Sequence, residues 1–144
     1  MRTATNASPK LNMTTMPVSA TSVSKRKPQS LSKSLTTGRS LYLAGPIRGV
    51  KNFRSRFAHA TALLRYQGWD VFNPVEQDGM FLRHGMPVTV RICLEHDLPW
   101  ICRWAHIVAF LPGWERSLGA QAEYKTALAC DIPVWELPKE YCID

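Results

Sequence analysis

The chain has 144 residues with 18 Lys and Arg against 11 Asp and Glu, a net charge of +7. That whole excess sits in the first 40 residues, which hold seven Lys or Arg and no acid, so the basic balance does not mark the neutral remainder as a nucleic-acid-binding fold. The length suits one domain with a small core, no apolar run approaches the ~18 residues of a membrane span, and the four cysteines form no C-x-x-C pair and have no His at zinc-finger spacing. Of these, Cys93, Cys102 and Cys130 stand among apolar residues and read as reduced, buried thiols of a cytosolic protein.

Residues 1–39 are rich in Ser, Thr, Pro, Lys and Arg and poor in large apolar side chains, so they are expected to form a disordered tail. Three further readings of the tail stand beside that one. Its acid-free, Ser-rich composition resembles an organelle transit peptide. Lys25, Arg26 and Lys27 form the densest charge of a weak polyanion-binding arm. Met13 and Met16 allow it to be an upstream extension from an early start codon.

The folded unit is expected over 40–144. Ser40 to Ala44 reads as a first strand, followed by a tight loop, Gly45-Pro46-Ile47-Arg48-Gly49, whose glycines let backbone approach a ligand and whose Arg48 supplies a cation. Asn52 is a candidate N-cap. Phe53, Phe57, Ala60 and Leu64 then make an amphipathic helical stripe with Arg54, Arg56 and Arg65 off it, and Gly68 stands where the helix should end. Trp69 to Phe72 is a second short strand, stopped by Asn73-Pro74. Two glycines and a proline predict an irregular stretch over 75–90, in which Met80, Phe81, Leu82 and Met86 form either a lid or a loop packed on the core edge. Val90 to Leu94 reads as a short helix. Pro99, tolerated in a first helical turn, places Asp97 at the N-cap of a separate helix running to about Trp104.

His106 to Leu111 is an apolar third strand. Pro112 and Gly113 turn the chain toward a helix over 117–130, and Ile132 to Trp135 is the fourth strand. Strands alternating with helices predict an α/β fold: a small, doubly wound parallel sheet of the Rossmann or flavodoxin type with helices on both faces. Ligands of such sheets bind beyond the C-terminal strand ends at the topological switch point, where the loops after strands 1 and 3 meet. The rim there gathers Tyr42, Gly45, Arg48, Asp97, Ser117, Gly119 and Glu123. Ser117 and the amides near Gly119 can hold a phosphate at a helix N-terminus, with Arg48 adding charge. A carboxylate one turn inside that start, Glu123, and a second, Asp97, are what chemistry at an anomeric carbon needs, one to attack or stabilise and one to orient or protonate.

Three blocks in this order, Tyr42-Leu43-Ala44-Gly45-Pro46-Ile47-Arg48-Gly49, Glu95-His96-Asp97-Leu98-Pro99-Trp100 and Ser117-Leu118-Gly119-Ala120-Gln121-Ala122-Glu123, resemble the nucleoside 2-deoxyribosyltransferase superfamily. Two branches are most alike: an uncharacterised phage and bacterial domain with a YLAGP start and a PGWE core, and the 2′-deoxynucleoside 5′-phosphate N-hydrolase. The resemblance covers nearly all of 41–136. It implies that Glu123 is a nucleophile toward the deoxyribose C1′, that Asp97 positions sugar and base, and that Tyr42 lies near the nucleophile. It further implies that Gly45, Ile47, Arg48, Gly49, Ser117 and Gly119 grip a 5′-phosphate.

The implied activity is cleavage or transfer at the N-glycosidic bond of a 2′-deoxynucleoside 5′-monophosphate or deoxynucleoside, by a hydrolase or a deoxyribosyltransferase. No metal or organic cofactor is implied, and the partners are a small-molecule nucleotide or nucleoside and a second copy of the chain, with no membrane. The expected location is the cytoplasm of a bacterium or phage-infected host. Ala105-His106 stands where many members carry an Asp before the third strand, and Pro46 replaces a possible phosphate-binding Ser. That departure motivates an alternative, a non-catalytic nucleotide-binding or sensing module of the same fold. A second alternative is a protein tethered to a polyanion, with the tail in weak contact with nucleic acid.

Overall fold

The structure, a computed structural model, describes residues 38–143, so the expectations for the tail lie outside the described residues. Four strands, β1 (Ser40–Ala44), β2 (Asp70–Phe72), β3 (Ile107–Phe110) and β4 (Val134–Glu136), form one sheet in the order β2-β1-β3-β4 with every pairing parallel. Four α-helices connect them: α1 (Phe53–Tyr66), α2 (Pro74–Arg83), α3 (Val90–Trp104) and α4 (Leu118–Ala129). This is the expected Rossmann-like α/β fold.

The period-2 alternation of the strands divides the core into two layers. Leu41 and Leu43 of β1 face one side with Val71, Ala109 and Trp135, where Phe57, Ala60 and Leu64 of α1 cover them. Tyr42 and Ala44 face the other side with Val108 and Phe110, covered by Ile101 of α3 and Ala127 of α4. Each fully buried Leu, Val or Phe contributes about 1.5–3 kcal/mol of transfer free energy, so both layers are needed to hold a sheet this small. Because the connection from β1 goes to one face and that from β3 to the other, a crevice opens between their C-terminal ends.

Several local expectations change. Residues 74–83 are not irregular but form α2. Asn73 stops β2 and also caps the helix, its side chain accepting from the Val75 N–H at 2.9 Å, while Pro74 takes the first helical position, where its missing N–H costs nothing. Gly79 weakens this helix but does not break it; Phe81 is buried with its ring 4.8 Å from that of His96. The two helices expected around Asp97 are one, α3. Its cap is Thr89, which accepts from the Ile92 N–H at 3.2 Å, and Pro99 lies inside it. Pro99 and Glu95 both sit on the exposed side of α3, where the carbonyl that loses its helical donor can meet water. Asp97 is therefore no cap; it is a buried helix-interior carboxyl, 4% exposed.

Asn52 occupies the N-cap position of α1 but makes no capping bond; its amide donates to the Ile143 carbonyl at 3.4 Å. Gly68 follows the end of α1 with φ of 99°, as its placement predicts. The cysteines are also not the buried thiols expected: Cys102 and Cys130 are exposed, and Cys93 and Cys142 half-buried.

Candidate functional site

A cleft of about 900 Å³ occupies the crevice at the C-terminal edge of the sheet. That volume is in the range that accepts a nucleotide-sized molecule. Its floor is set by strand alternation. Tyr42 points toward the layer under α3 and α4 and is fully buried. There its hydroxyl donates to Oε1 of Glu123 at 2.7 Å. Phe72 and Trp100 pack on the Tyr42 ring, with centroids at 5.4 and 6.1 Å, and fix its orientation.

Glu123 reaches the floor because of its register in α4. Ala120, Glu123 and Ala127 are the inward-facing positions of that helix, and two of the three are small enough to let it lie close to the sheet. The remaining inward position carries a carboxyl that is only 7% exposed. Asp97 occupies the corresponding inward face of α3, one turn before buried Ile101. Both carboxyls line the cleft.

Burial dominates the electrostatics. Desolvation pushes the Glu123 carboxyl up to about 8 despite the Tyr42 hydrogen bond, and the charges of Asp97 and Asp78 add to the rise. Desolvation likewise raises Asp97 to about 7, opposed by the Tyr42 hydroxyl and assisted by Asp78. Tyr42 itself is held well above the ordinary phenol range by burial and then by the two carboxylates. Three titratable groups thus share few protons in a space that disfavours charge.

The rim comes from the two loops beyond β1 and β3. Gly45, Ile47, Arg48 and Gly49 line one wall; Ser117 and Gly119 line the other, so the sequence-derived candidates meet at one cleft, with Tyr42 behind its floor. Ser117 caps α4, its Oγ accepting from the Ala120 N–H at 3.3 Å, which leaves its own proton available to donate. Gly45 serves packing as well as approach: a Cβ there would lie 2.9 Å from the Leu111 Cβ and 3.3 Å from the Phe57 ring. Gly49 has φ of 79°, a left-handed conformation that lets the loop turn back toward α1. Arg48 does not point only into open space. It donates to the Val88 carbonyl at 3.3 Å, bracing the segment between α2 and α3.

Other lining residues escaped the sequence reading. Lys51, Arg54 and Arg116 add cations to the mouth, and Asp78 and Cys93 form the wall between α2 and α3. The Cys93 thiol donates to Asp78 Oδ1 at 3.3 Å. Burial, reinforced by Asp78, pushes that thiol up to about 12, so it is un-ionised and a poor nucleophile. Burial also raises Asp78, against the thiol hydrogen bond and Arg48. Asp78 is hidden because the two glycines and the proline of 75–90 predict irregular structure there; the signal for it is Asp78 and Leu82 four apart, one face of a helix.

Ala105 and His106 precede β3 at the opposite edge of the sheet, where the His106 Nδ1 accepts from the Ser40 N–H at 3.0 Å. The departure at this position therefore lies away from the cleft. Among the described residues, no cluster of three or more His, Cys, Asp or Glu is arranged to hold a metal ion, and no helix is long and apolar enough to cross a membrane.

No curated protein and no solved structure matches the chain significantly. Residues 39–136, which run from β1 through β4 and include every residue lining the cleft, match the family described as Domain of unknown function (DUF4406), and the chain belongs to that family.

Proposed function

We propose that the cleft binds a 2′-deoxynucleoside or its 5′-monophosphate and that Glu123 carries cleavage or transfer at its N-glycosidic bond. The observation that carries this reading is the buried Glu123 carboxyl at the cleft floor, oriented by the 2.7 Å hydrogen bond from Tyr42. The resemblance of the three sequence blocks to the nucleoside 2-deoxyribosyltransferase superfamily supports it. So does the distribution of charge, with Arg48, Lys51, Arg54 and Arg116 at the mouth and the carboxyls at the floor. An anion such as a 5′-phosphate would meet the cations, Ser117 and the first amides of α4, while the sugar would lie over Glu123.

In this mechanism one proton is shared by two carboxyls of similar basicity. The proton rests more often on the more basic Glu123; the reactive form is the less populated one, with the proton on Asp97, in which the Glu123 carboxylate attacks C1′. The C1′–N bond breaks, its electron pair leaves on the base nitrogen, and Asp97 supplies the proton that neutralises the base. The resulting glycosyl ester is resolved by water, giving hydrolysis, or by a second base, giving transfer. Asp78, which lines the wall between α2 and α3, would meet the base edge in this reading.

The test is base release, followed by liquid chromatography, from the full chain and Glu123→Gln given deoxynucleoside monophosphates, deoxynucleosides and ribonucleotides, with and without an acceptor base. The expected result is free base with the wild type and a loss on the order of 10³-fold or more in the variant. New nucleoside in the presence of acceptor identifies a transferase. Nucleotide-dependent stabilisation without any base release overturns the enzyme and leaves a binding module.

A further inference from the structure

Away from the cleft, the sulfurs of Cys102 and Cys130 lie 3.7 Å apart, and both residues are exposed. Cys102 is in the last turn of α3 and Cys130 is the C-cap of α4, so the pair bridges the ends of two helices packed side by side. Neither lines the cleft. We propose that Cys102 and Cys130 form a thiol-modification site, oxidised by a low-molecular-weight disulfide to an intramolecular bond that staples α3 to α4.

Geometry favours this over separate adducts. The sulfurs need to close by only about 1.7 Å to reach a disulfide bond, within the reach of side-chain rotation at an exposed site. The chemistry proceeds in two exchanges. The Cys102 thiolate attacks the small disulfide, since burial, Cys102 and Asp131 raise the Cys130 thiol, and this forms a mixed disulfide and expels one small thiolate. The second cysteine, deprotonated, then attacks the protein sulfur of that mixed disulfide, closing the Cys102–Cys130 bond and expelling the other. Two protein thiols are oxidised, one small disulfide is reduced to two thiols, and the two protons released by the protein end on them.

The other thiols do not compete well. Cys93 is half-buried and held un-ionised by burial and Asp78. Cys142 is half-buried, and its sulfur meets Arg56 Nε and the Ile143 carbonyl, with no second cysteine sulfur among its contacts in the described residues. Selectivity therefore follows from access and from having a partner sulfur in reach.

The consequence lies in what the two helices carry. Asp97 is on α3 and Glu123 on α4, and the bond would tie their far ends together across 28 positions of sequence. Constraining that loop in the unfolded chain raises stability, and it also fixes how far the two carboxyl-bearing helices can separate. The site stands on its own geometry and does not depend on what the cleft binds.

The full chain, reduced and then exposed to glutathione disulfide at mildly alkaline pH, tests it. The expected product has lost the mass of two hydrogens, keeps only Cys93 and Cys142 titratable by a maleimide once unfolded in denaturant, and yields a peptide pair joined through Cys102 and Cys130. Its Tm should rise on the order of 10 °C and return on adding dithiothreitol. Cys102→Ser and Cys130→Ser, each at an exposed position, should fold with the reduced-state Tm and show no such shift. The proposal is overturned if glutathione stays attached to either cysteine without closure, if only links between chains form on non-reducing electrophoresis, or if both thiols remain free.

Discussion

Tyr42 and Glu123, 81 positions apart, are joined by a 2.7 Å hydrogen bond inside the core, with the phenol donating to Oε1. The phenol has a single proton to give, while two carboxyls, Glu123 and Asp97, are both favoured by it. Its hydrogen bond goes to Glu123, and this partly offsets the desolvation that still leaves Glu123 the more basic of the two.

Tyr42→Phe removes this donor and little else, since the ring still packs on Phe72 and Trp100. The bond lowers the Glu123 pKa, so its loss should send that carboxyl higher still and reduce the fraction ionised near neutrality. Base release is expected to fall about 10²-fold, the scale of losing one oriented donor in a closed site. The variant should also lose ~1–2 kcal/mol of stability in urea titrations at pH 8, where the buried acceptor is left unsatisfied. Unchanged turnover would show that the tyrosine does not orient the attacking group.

Glu123→Gln tests burial by a route that needs no substrate. The carboxyl has an ordinary value of 4.5 and is raised to about 8 in the folded chain. Between those values the native state binds more protons than the unfolded state, so stability falls as pH rises. The contribution is complete below pH ~4.5 and lost above ~8, the reverse of an ordinary salt-bridged acid. Glutamine carries no charge and can still accept from Tyr42. The variant should match the wild type near pH 5 and exceed it by ~2 kcal/mol or more at pH 8, measured as a Tm difference that grows with pH. A difference that stays flat would mean Glu123 ionises freely in the folded chain.

Sharing one proton between Asp97, raised to about 7, and Glu123, raised to about 8, predicts a narrow bell in kcat/KM centred near pH 7.5. On the acid side both carboxyls are protonated and no nucleophile exists; on the alkaline side both are ionised and the leaving base receives no proton. Asp97→Asn should abolish the alkaline limb, leaving a plateau, and shift the acid limb to lower pH because one of the charges raising Glu123 is gone. A wild-type profile with a plateau and no alkaline fall would remove Asp97 from proton delivery.

How much of this could be read from the chain depends on whether a residue's local pattern agrees with its tertiary role. The apolar run of β1 and the Phe57, Ala60 and Leu64 stripe are consistent at both levels, and the sheet with its cleft edge follows. Glu123 is legible in position because it lies one turn inside the start of the helix over 117–130, whereas its burial between Ala120 and Ala127 shows only in the fold. Local rules misled where one residue served two elements. Asn73-Pro74 ends a strand and also starts α2, and the strand stop is the stronger of the two local signals. Pro99 by local rules belongs in a first helical turn, but inside α3 it faces solvent, where the carbonyl it leaves without a donor can meet water. Cys102 and Cys130 lie among apolar neighbours in sequence yet end up exposed, since they stand at the ends of helices rather than beneath them. The cations Lys51, Arg54 and Arg116 fall off every apolar stripe and look like solvated surface; only the folding of two loops toward each other places them on one mouth.

Arg48 and Arg116 both line that mouth, but their surroundings separate their duties. Arg48 donates to the Val88 carbonyl and interacts with Asp78, so it braces the wall between α2 and α3. Arg116 immediately precedes Ser117, the cap of α4, on the side where a 5′-phosphate would meet the helix amides. Arg116→Ala should therefore raise KM for a deoxynucleoside monophosphate about 10-fold, the loss of one charge-assisted hydrogen bond, and leave KM for the matching deoxynucleoside unchanged. Arg48→Ala should raise KM for both substrates by a similar factor, because the wall loosens whatever the ligand carries. Equal effects of Arg116→Ala on the two substrates would place the phosphate elsewhere on the mouth, and no effect on either would mean that the ligand carries no anion there.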